Sequence, residues 1–382
     1  MYSRCPQGFV TPTDKDDSRV TWIGDTGCAL SCKYPIWSES EYNQFDIVTF
    51  YVPILSLPFL LILLITWIFD KEKRKQYLVI CLAVSVGMNA FLSSLAFSIP
   101  WFKRNCSSNA VRIDASDGFT FCSLQALGYV YFGLTSSMCW MNQSVDLFLK
   151  VGLGMRSTDK YKLYYITSIF LFPLVPLGYV LATKSFGYVI GNPACWINIR
   201  YNQEDIDIYV WFIPIIFMTF VGLVSMSVVL YKITLSTMKT SSTKSNGSQD
   251  LISAVRTPIL FVITFLAFFL SLVAYREEIY DYTNTNNSRM AHWINCVFTH
   301  YDDKTDESFQ SVCGVNAKSK LSFPTAMWAF ICLSGQAAMV ALVYLPTSSV
   351  YKIWQKWLTT SVGLKQAKSP HKIHVVMPRD AH

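Results

Sequence analysis

Cys28 and Cys32 stand directly before a long apolar run, and that run ends in a basic knot of Lys71, Lys73, Arg74 and Lys75. Close thiols of this kind close disulfides in an oxidising compartment, or hold metals where histidine or further cysteine joins them. The histidines do not join them. The chain has five, His292, His300, His371, His374 and His382, and none lies in a His-Glu-x-x-His pattern. His371 and His374 fall in an unpatterned tail, a poor setting for a metal. No Gly-rich phosphate loop follows a strand pattern, and no catalytic triad can be placed. Asp146 is the deepest acid, and it has no histidine near it in sequence. The residues therefore predict no catalytic group, no metal and no cofactor, and the chain reads as something other than an enzyme. The chemistry they do offer is disulfide formation.

Those cysteines need a frame, and composition says what kind. The chain has 382 residues, 52% hydrophobic and only 15% charged, where soluble proteins carry about 25% charged residues. Its mean hydropathy is +0.31. The apolar residues are clumped into seven runs, near 45–69, 77–100, 119–149, 161–183, 208–233, 256–280 and 321–345. Each is long enough to cross about 30 Å of hydrocarbon as a helix. Asn89, Asn142, Gln143, Asp146 and Gln336 lie within them, and polar groups at such depth face a bundle interior. Pro53, Pro58, Pro173, Pro176, Pro214 and Pro258 interrupt the runs and predict kinks. The fold expected is an all-α membrane protein with seven transmembrane helices. Its partner is the lipid bilayer. The net charge of +7 is spent at membrane boundaries and does not indicate nucleic acid.

Charge then assigns the sides. Lys71 to Lys75, and Lys150, Arg156, Lys160 and Lys162, crowd the short loops on one side, as cytoplasmic loops do. The N-terminus is then outside. On this topology Cys5, Cys28, Cys32, Cys106, Cys122, Cys195, Cys296 and Cys313 all fall on the outer side, while Cys81, Cys139 and Cys332 lie within helices. Spacing alone leaves the pairing of the outer eight open. Sequons at Asn105 and Asn286 also fall outside and predict glycosylation; those at Asn142 and Asn246 do not. The start, MYSRCPQGF, has no apolar signal region; either the first helix is itself the insertion signal or the sequence begins late. The domains expected are an extracellular tail with a cysteine hinge over 1–44, the bundle over 45–345, an amphipathic eighth helix over 346–358 and a disordered basic tail over 359–382. The loop TMKTSSTKSNGSQD (residues 237–250) reads as a solvated linker.

The stretch CALSCKYPIWSESE (residues 28–41) resembles the hinge into the first helix of Frizzled and Smoothened receptors. CSLQALGYVYFGLTSSMCWMNQSVDLFLKVG (residues 122–152) resembles that family's third helix. The match runs through Cys122, Tyr131-Phe132-Gly133, Ser136-Ser137, Trp140, Phe148-Leu149 and Gly152. The resemblance covers roughly 28–355, and the chain resembles the Frizzled/Smoothened-like proteins of social amoebae that lack the cysteine-rich domain. It implies four bridges: Cys122 with Cys195, Cys296 with Cys313, Cys32 with Cys106, and Cys5 with Cys28. The stretch before Cys28 is too short for the family's cysteine-rich ligand domain, so a Wnt-type ligand bound by that route is not expected.

The resemblance also implies a switch at the inner ends of the helices. VRTPILF (residues 255–261) supplies its basic residue as Arg256. GQAAMVALVYLP (residues 335–346) puts Ala341 and Val343 where the family has tryptophan, leaving Tyr344 as the nearest aromatic partner. A cation over an aromatic face contributes about 0.5–2 kcal/mol. The family's Lys-Thr-x-x-x-Trp motif, which binds Dishevelled, is broken in PTSSVYKIWQKW (residues 346–357), where Pro346 and Tyr351 replace the Lys and Trp. Recruitment of a Dishevelled-type partner is not expected, and the segment reads as a membrane-lying amphipathic helix.

The function expected is that of a G protein-coupled receptor in the plasma membrane, with an unknown extracellular ligand and a heterotrimeric G protein as partners. Arg256, Tyr344, Asp146 and Trp140 are the switch candidates. Phe119, Tyr188, Trp196 and Glu278 are the ligand-cavity candidates. A non-signalling receptor-derived scaffold is the alternative, and a transporter or channel a more remote one, since the two halves show no repeat.

Overall fold

The computed structural model describes residues 39–71, 73–99, 101–188, 194–197, 206–241, 259–260, 262–279, 322–346 and 348–361, with residues 5, 9–13, 17, 20, 22, 27–32 and 296. Two strands, β1 (Phe9–Val10) and β2 (Ala29–Leu30), precede α1 (Glu39–Phe69) and α2 (Tyr77–Phe97). The short α3 (Trp101–Asn105) leads to α4 (Phe121–Leu147), then α5 (Lys162–Leu171) and α6 (Leu174–Thr183). The hairpin strands β3 (Phe186–Tyr188) and β4 (Cys195–Ile197) follow, then α7 (Ile213–Ser241). Residues 262–279 form α8. The chain continues through α9 (Phe323–Ser334), α10 (Gln336–Tyr344) and α11 (Ser348–Ser361).

Four of these segments are long and apolar enough to span a membrane: Ser40–Phe69, Tyr77–Leu95, Asp159–Thr183 and Ile208–Ser236. A fifth is α9 with α10, taken as one span bent by 53°. The protein is thus a multi-pass membrane protein. α1 exposes Tyr51, Leu55, Phe59 and Leu61, and α7 exposes Phe217 and Phe220. In water such faces would be unstable; against lipid tails they are the expected outer surface.

Several segments depart from the sequence expectation. α1 begins at Glu39, inside the stretch assigned to the tail, because the acidic residues Glu39 and Glu41 suit a helix N-terminus. The run 161–183 breaks at Pro173, which has no N–H to continue the first half. Pro53 and Pro58 instead stay inside α1, and Ser56 Oγ donates 2.7 Å to the carbonyl of Pro53. The last span bends at Gly335, and α11 runs past 358 to Ser361. The tail beyond Ser361, and the loop 242–258, lie outside the described residues.

The core is organised around α4, which is buried on almost all sides and carries small or polar residues (Gly128, Gly133, Ser136, Ser137, Asn142) between its large ones. Two tryptophans lock it to α7. The Trp140 ring of α4 lies where a Cβ on Gly222 of α7 would stand, and the Trp211 ring lies where a Cβ on Gly133 of α4 would stand. Both tryptophans are nearly inaccessible, at 1% and 2% exposed. Trp140 also stacks face to face on Phe265 of α8, with centroids 4.1 Å apart and planes 2° apart. Gly222→Leu therefore has no room for its side chain. It should destabilise the protein by about 1–3 kcal/mol, seen as a lower melting temperature in lipid nanodiscs, and combining it with Trp140→Ala should recover part of the loss.

Candidate functional site

The end of the bundle where α1 and α4 begin is stapled by disulfides. Cys5 joins Cys28, Cys32 joins Cys106, and Cys122 joins Cys195. Cys296 is also disulfide-bonded; Cys313, its expected partner, lies outside the described residues. The N-terminal tail is laid over the loop after α3. Asn109 accepts from the backbone N–H of Thr13 at 3.1 Å and donates to the carbonyl of Thr11 at 2.9 Å. Beneath it, Arg104 is fully buried and its Nη2 is 3.1 Å from Asp46 Oδ1 of α1. Burial pulls the Arg104 guanidinium below its ordinary pKa, and the carboxylate of Asp46 opposes that pull. The hairpin β3–β4 closes over this cluster, with Tyr188 opposite Cys195. Gln125 of α4 accepts from the Cys195 N–H at 3.2 Å.

Under the hairpin lies a small pocket of about 60 Å³. Its walls come from α4 (Tyr129), β4 (Trp196), the turn entering α7 (Asp207, Trp211), α8 (Tyr275, Arg276) and α9 (Phe330). Residues 208–212 form a wide π turn ahead of α7, and such turns re-aim side chains. Trp196 meets Trp211 edge-on at 5.1 Å, and Tyr275 meets Phe330 edge-on at 5.7 Å. One ion pair interrupts these apolar walls. Arg276 Nε is 3.1 Å from Asp207 Oδ2, with side chains only 11% and 2% exposed. The guanidinium also lies 5.5 Å from the Phe212 ring centroid.

Of the cavity candidates chosen from sequence, only Trp196 lines this pocket. Phe119 is 77% exposed and stands outside it, because Gly118 at φ +79° turns the chain away before α4 starts. Tyr188 is buried within the hairpin, at the end of β3, with the Arg112 guanidinium 6.0 Å from its ring; burial pushes its phenol up to about 12. Glu278 accepts from the Ser322 N–H at 3.3 Å, at the start of α9. The sequence reading missed Asp207, Arg276 and Trp211. The available signal was an ionisable residue at the end of each of two apolar runs.

A second and larger opening, of about 680 Å³, lies at the opposite, basic end. Asp146, Gln143 and Lys150 of the α4 segment, Thr158, and Tyr344 of α10 line it. Asp146 takes the ammonium of Lys150 at 2.6 Å and the hydroxyl of Thr158. The Tyr344 hydroxyl donates to Gln143 Oε1 at 2.6 Å, so α10 is tied to α4 across the opening. The Tyr344 ring also meets Trp67 of α1 edge-on at 5.9 Å. Two switch candidates, Asp146 and Tyr344, thus share this cleft, and Trp140 lies deeper. Arg256 lies outside the described residues. Gln143 was known only as a polar residue in a run and not as the partner of Tyr344. Trp354 of α11 donates from Nε1 to Thr66 of α1 at 2.9 Å, docking the amphipathic helix beside the same cleft.

Asn105, expected to carry a glycan, is instead fully buried, with its Oδ1 3.4 Å from Cys195 Sγ. A bulky, solvated glycan has no exit there. Asn286 lies outside the described residues. Among the described residues no group of three His, Cys, Asp or Glu side chains could hold a metal ion.

The family model described as 7 transmembrane receptor (Secretin family) matches residues 42–291, well over half of the chain. The chain belongs to the seven-transmembrane receptors that this model describes. It is also similar to Frizzled and smoothened-like protein A of Dictyostelium discoideum, 23% identical over 278 residues, which cover 71% of this chain and 44% of that protein. Frizzled/smoothened-like sans CRD protein C of the same organism is 22% identical over 372 residues, covering 93% of this chain and 68% of that protein. For sans CRD protein D the values are 22% over 364 residues, 89% and 74%. The chain therefore spans less than half the length of the first of these relatives.

Two outcomes are expected. Asn105→Gln should leave gel mobility unchanged after expression in a eukaryotic secretory membrane, before and after glycosidase treatment. Asp207→Asn and Arg276→Met should each cost about 3–5 kcal/mol in thermal stability by stranding a buried charge or its partner, and the double variant should melt closer to the parent than either single one.

Proposed function

We propose that the chain is a Frizzled/Smoothened-like receptor with seven helices, its disulfide end facing outside the plasma membrane and its basic end in the cytoplasm. A ligand enters beneath the N-terminal tail, and the opposite cleft opens toward a heterotrimeric G protein. The observation that carries this reading is the pair of openings at the two ends of α4, joined by one packed path. Trp211 lines the first opening and packs into Gly133; Trp140, two turns further along α4, packs into Gly222 and onto Phe265; Gln143, one turn beyond, holds Tyr344. Occupancy at one end that shifts Trp211 can bias the helix contacts at the other, provided the ligand binds the two arrangements unequally. The similarity to the amoebal Frizzled/Smoothened-like proteins supports the family assignment, and the basic loops support the orientation. Docking of α11 through Trp354 supports a membrane-lying helix at the cytoplasmic surface.

The Tyr344–Gln143 hydrogen bond ties α10 to α4 across the cleft. Losing it is worth about 1 kcal/mol, or roughly fivefold in the population of an open state. Tyr344→Phe in nanodiscs should raise basal nucleotide exchange on heterotrimeric G proteins by a few fold, and Arg256→Ala should change it in the same assay. Exchange equal to that of empty discs for parent and variants, with and without tissue extracts, would leave the scaffold reading in its place.

A further inference from the structure

The inner end of α1 and the docked α11 form a basic collar on one boundary of the membrane. α11 is 14 residues long and has no acidic residue. Val350, Ile353, Trp354 and Trp357 make its buried and half-buried side, while Lys352 and Lys356, one turn apart, are exposed. Trp354 Nε1 donates to Thr66, one turn before α1 ends at Phe69. α11 is thus held level with the last turn of α1, where hydrocarbon gives way to headgroups. Its two indoles, with ring centroids 5.4 Å apart, suit that boundary.

The loop leaving α1 adds its charge at the same level. Arg74 Nε donates to the Ile68 carbonyl at 2.7 Å, which folds the guanidinium back onto the end of α1. Lys73 is half-buried, with its Nζ 4.8 Å from the Trp67 ring centroid; desolvation pulls its ammonium below the ordinary lysine pKa, and Asp70 opposes that pull. Residues 70–75 and α11 together carry six basic side chains against Asp70 and Glu72, a net charge of +4. Positive charge on one side of the membrane sets orientation whichever loop carries it. Orientation does not require two basic segments, 288 positions apart at the Trp354–Thr66 contact, to be docked on one another. Gathering like charge in one place is unfavourable without a counter-charge. Directly beneath the collar, Ile65, Ile68 and Phe69 of α1 are exposed, and such a face suits acyl chains. The counter-charge that also fits this apolar wall is a lipid headgroup and not a free anion.

Resting on the orientation proposed above, we infer that residues 70–75 and α11 bind a polyvalent anionic phospholipid, a phosphoinositide with monoester phosphates on its ring, in the leaflet at the basic end. Two such phosphates and the diester carry about −4, which matches the collar, whereas a monovalent headgroup such as phosphatidylserine leaves most of its charge unbalanced. The ring phosphates lie against Lys352, Lys356 and the loop cations, and the acyl chains lie against Ile65, Ile68 and Phe69.

The test uses the full chain in phosphatidylcholine nanodiscs doped with phosphatidylinositol bisphosphate or with phosphatidylserine at equal total headgroup charge. Native mass spectrometry of the released protein counts the lipid it retains. Discs present lipid in both leaflets, so the count does not depend on orientation. The bisphosphate should be retained at least tenfold over phosphatidylserine. Lys352→Gln with Lys356→Gln should lower that retention about tenfold without changing the melting temperature in phosphatidylcholine alone, since both side chains are exposed, and Lys352→Arg with Lys356→Arg should restore it. Soluble inositol trisphosphate should displace none of the lipid. Equal retention of the two lipids, retention unchanged in the double Gln variant, or displacement by the soluble headgroup would each overturn the inference. Lipid selectivity without nucleotide exchange would leave this site standing and remove the coupling to a G protein, while exchange without lipid selectivity would do the reverse.

Discussion

The reciprocal seating of two tryptophans against two glycines holds α4 to α7, and the other packing of the bundle is arranged around that seam. In lipid, apolar association gives helices no advantage over contact with tails, so close packing and small residues must supply the attraction. Gly133 and Gly222 let large indole rings approach the opposite backbone. Each tryptophan then does something beyond the seam. Trp211 becomes a wall of the pocket at the disulfide end. Trp140 receives the stacked ring of Phe265 and so brings α8 against α4. Moving either ring displaces a neighbouring helix, because neither glycine offers slack for a different position.

The disulfide end is built for rigidity above that seam. Three bridges, the Asn109 clamp on the tail and the buried Arg104–Asp46 pair fix α1, the loop after α3 and the hairpin over one another. Cys195 is held twice, by its bridge to Cys122 and by Gln125 at its backbone N–H. The adjacent Trp196 is thereby presented to the pocket with little freedom. Asp207 and Arg276 close the same space from two further segments, so its shape depends on how α7 and α8 enter the bundle. Among the described residues the opposite end carries no disulfide. Among the described contacts there, Tyr344–Gln143 and Trp354–Thr66 are single hydrogen bonds between helices.

Much of this was legible in the residues. The apolar runs, the side on which the cysteines gather and the basic short loops follow from the cost of charge in hydrocarbon and need no knowledge of packing. The bridges observed among the described residues are those the family resemblance implied. The cavity was far less legible. Phe119, Tyr188 and Glu278 sit near the expected end of their helices, but position along a helix says nothing about azimuth. A glycine turn throws Phe119 outward, Tyr188 is buried within strand β3, and Glu278 is spent on a helix start. Asn105 shows the same limit, since its sequon is intact but its side chain is folded inward beside Cys195.

The sequence by itself determined that this chain crosses membranes several times and gathers most of its cysteines at one end and its basic short loops at the other. Those properties are sums over local composition, and the bilayer as solvent enforces them segment by segment. Only the tertiary structure decided which polar residues meet. Asp207 and Arg276 are 69 positions apart, and Tyr344 and Gln143 are 201 apart. Their pairing depends on helix rotation, on the π turn before α7 and on the bend at Gly335, each set by how side chains interlock across the bundle and not by the identity of the residues alone.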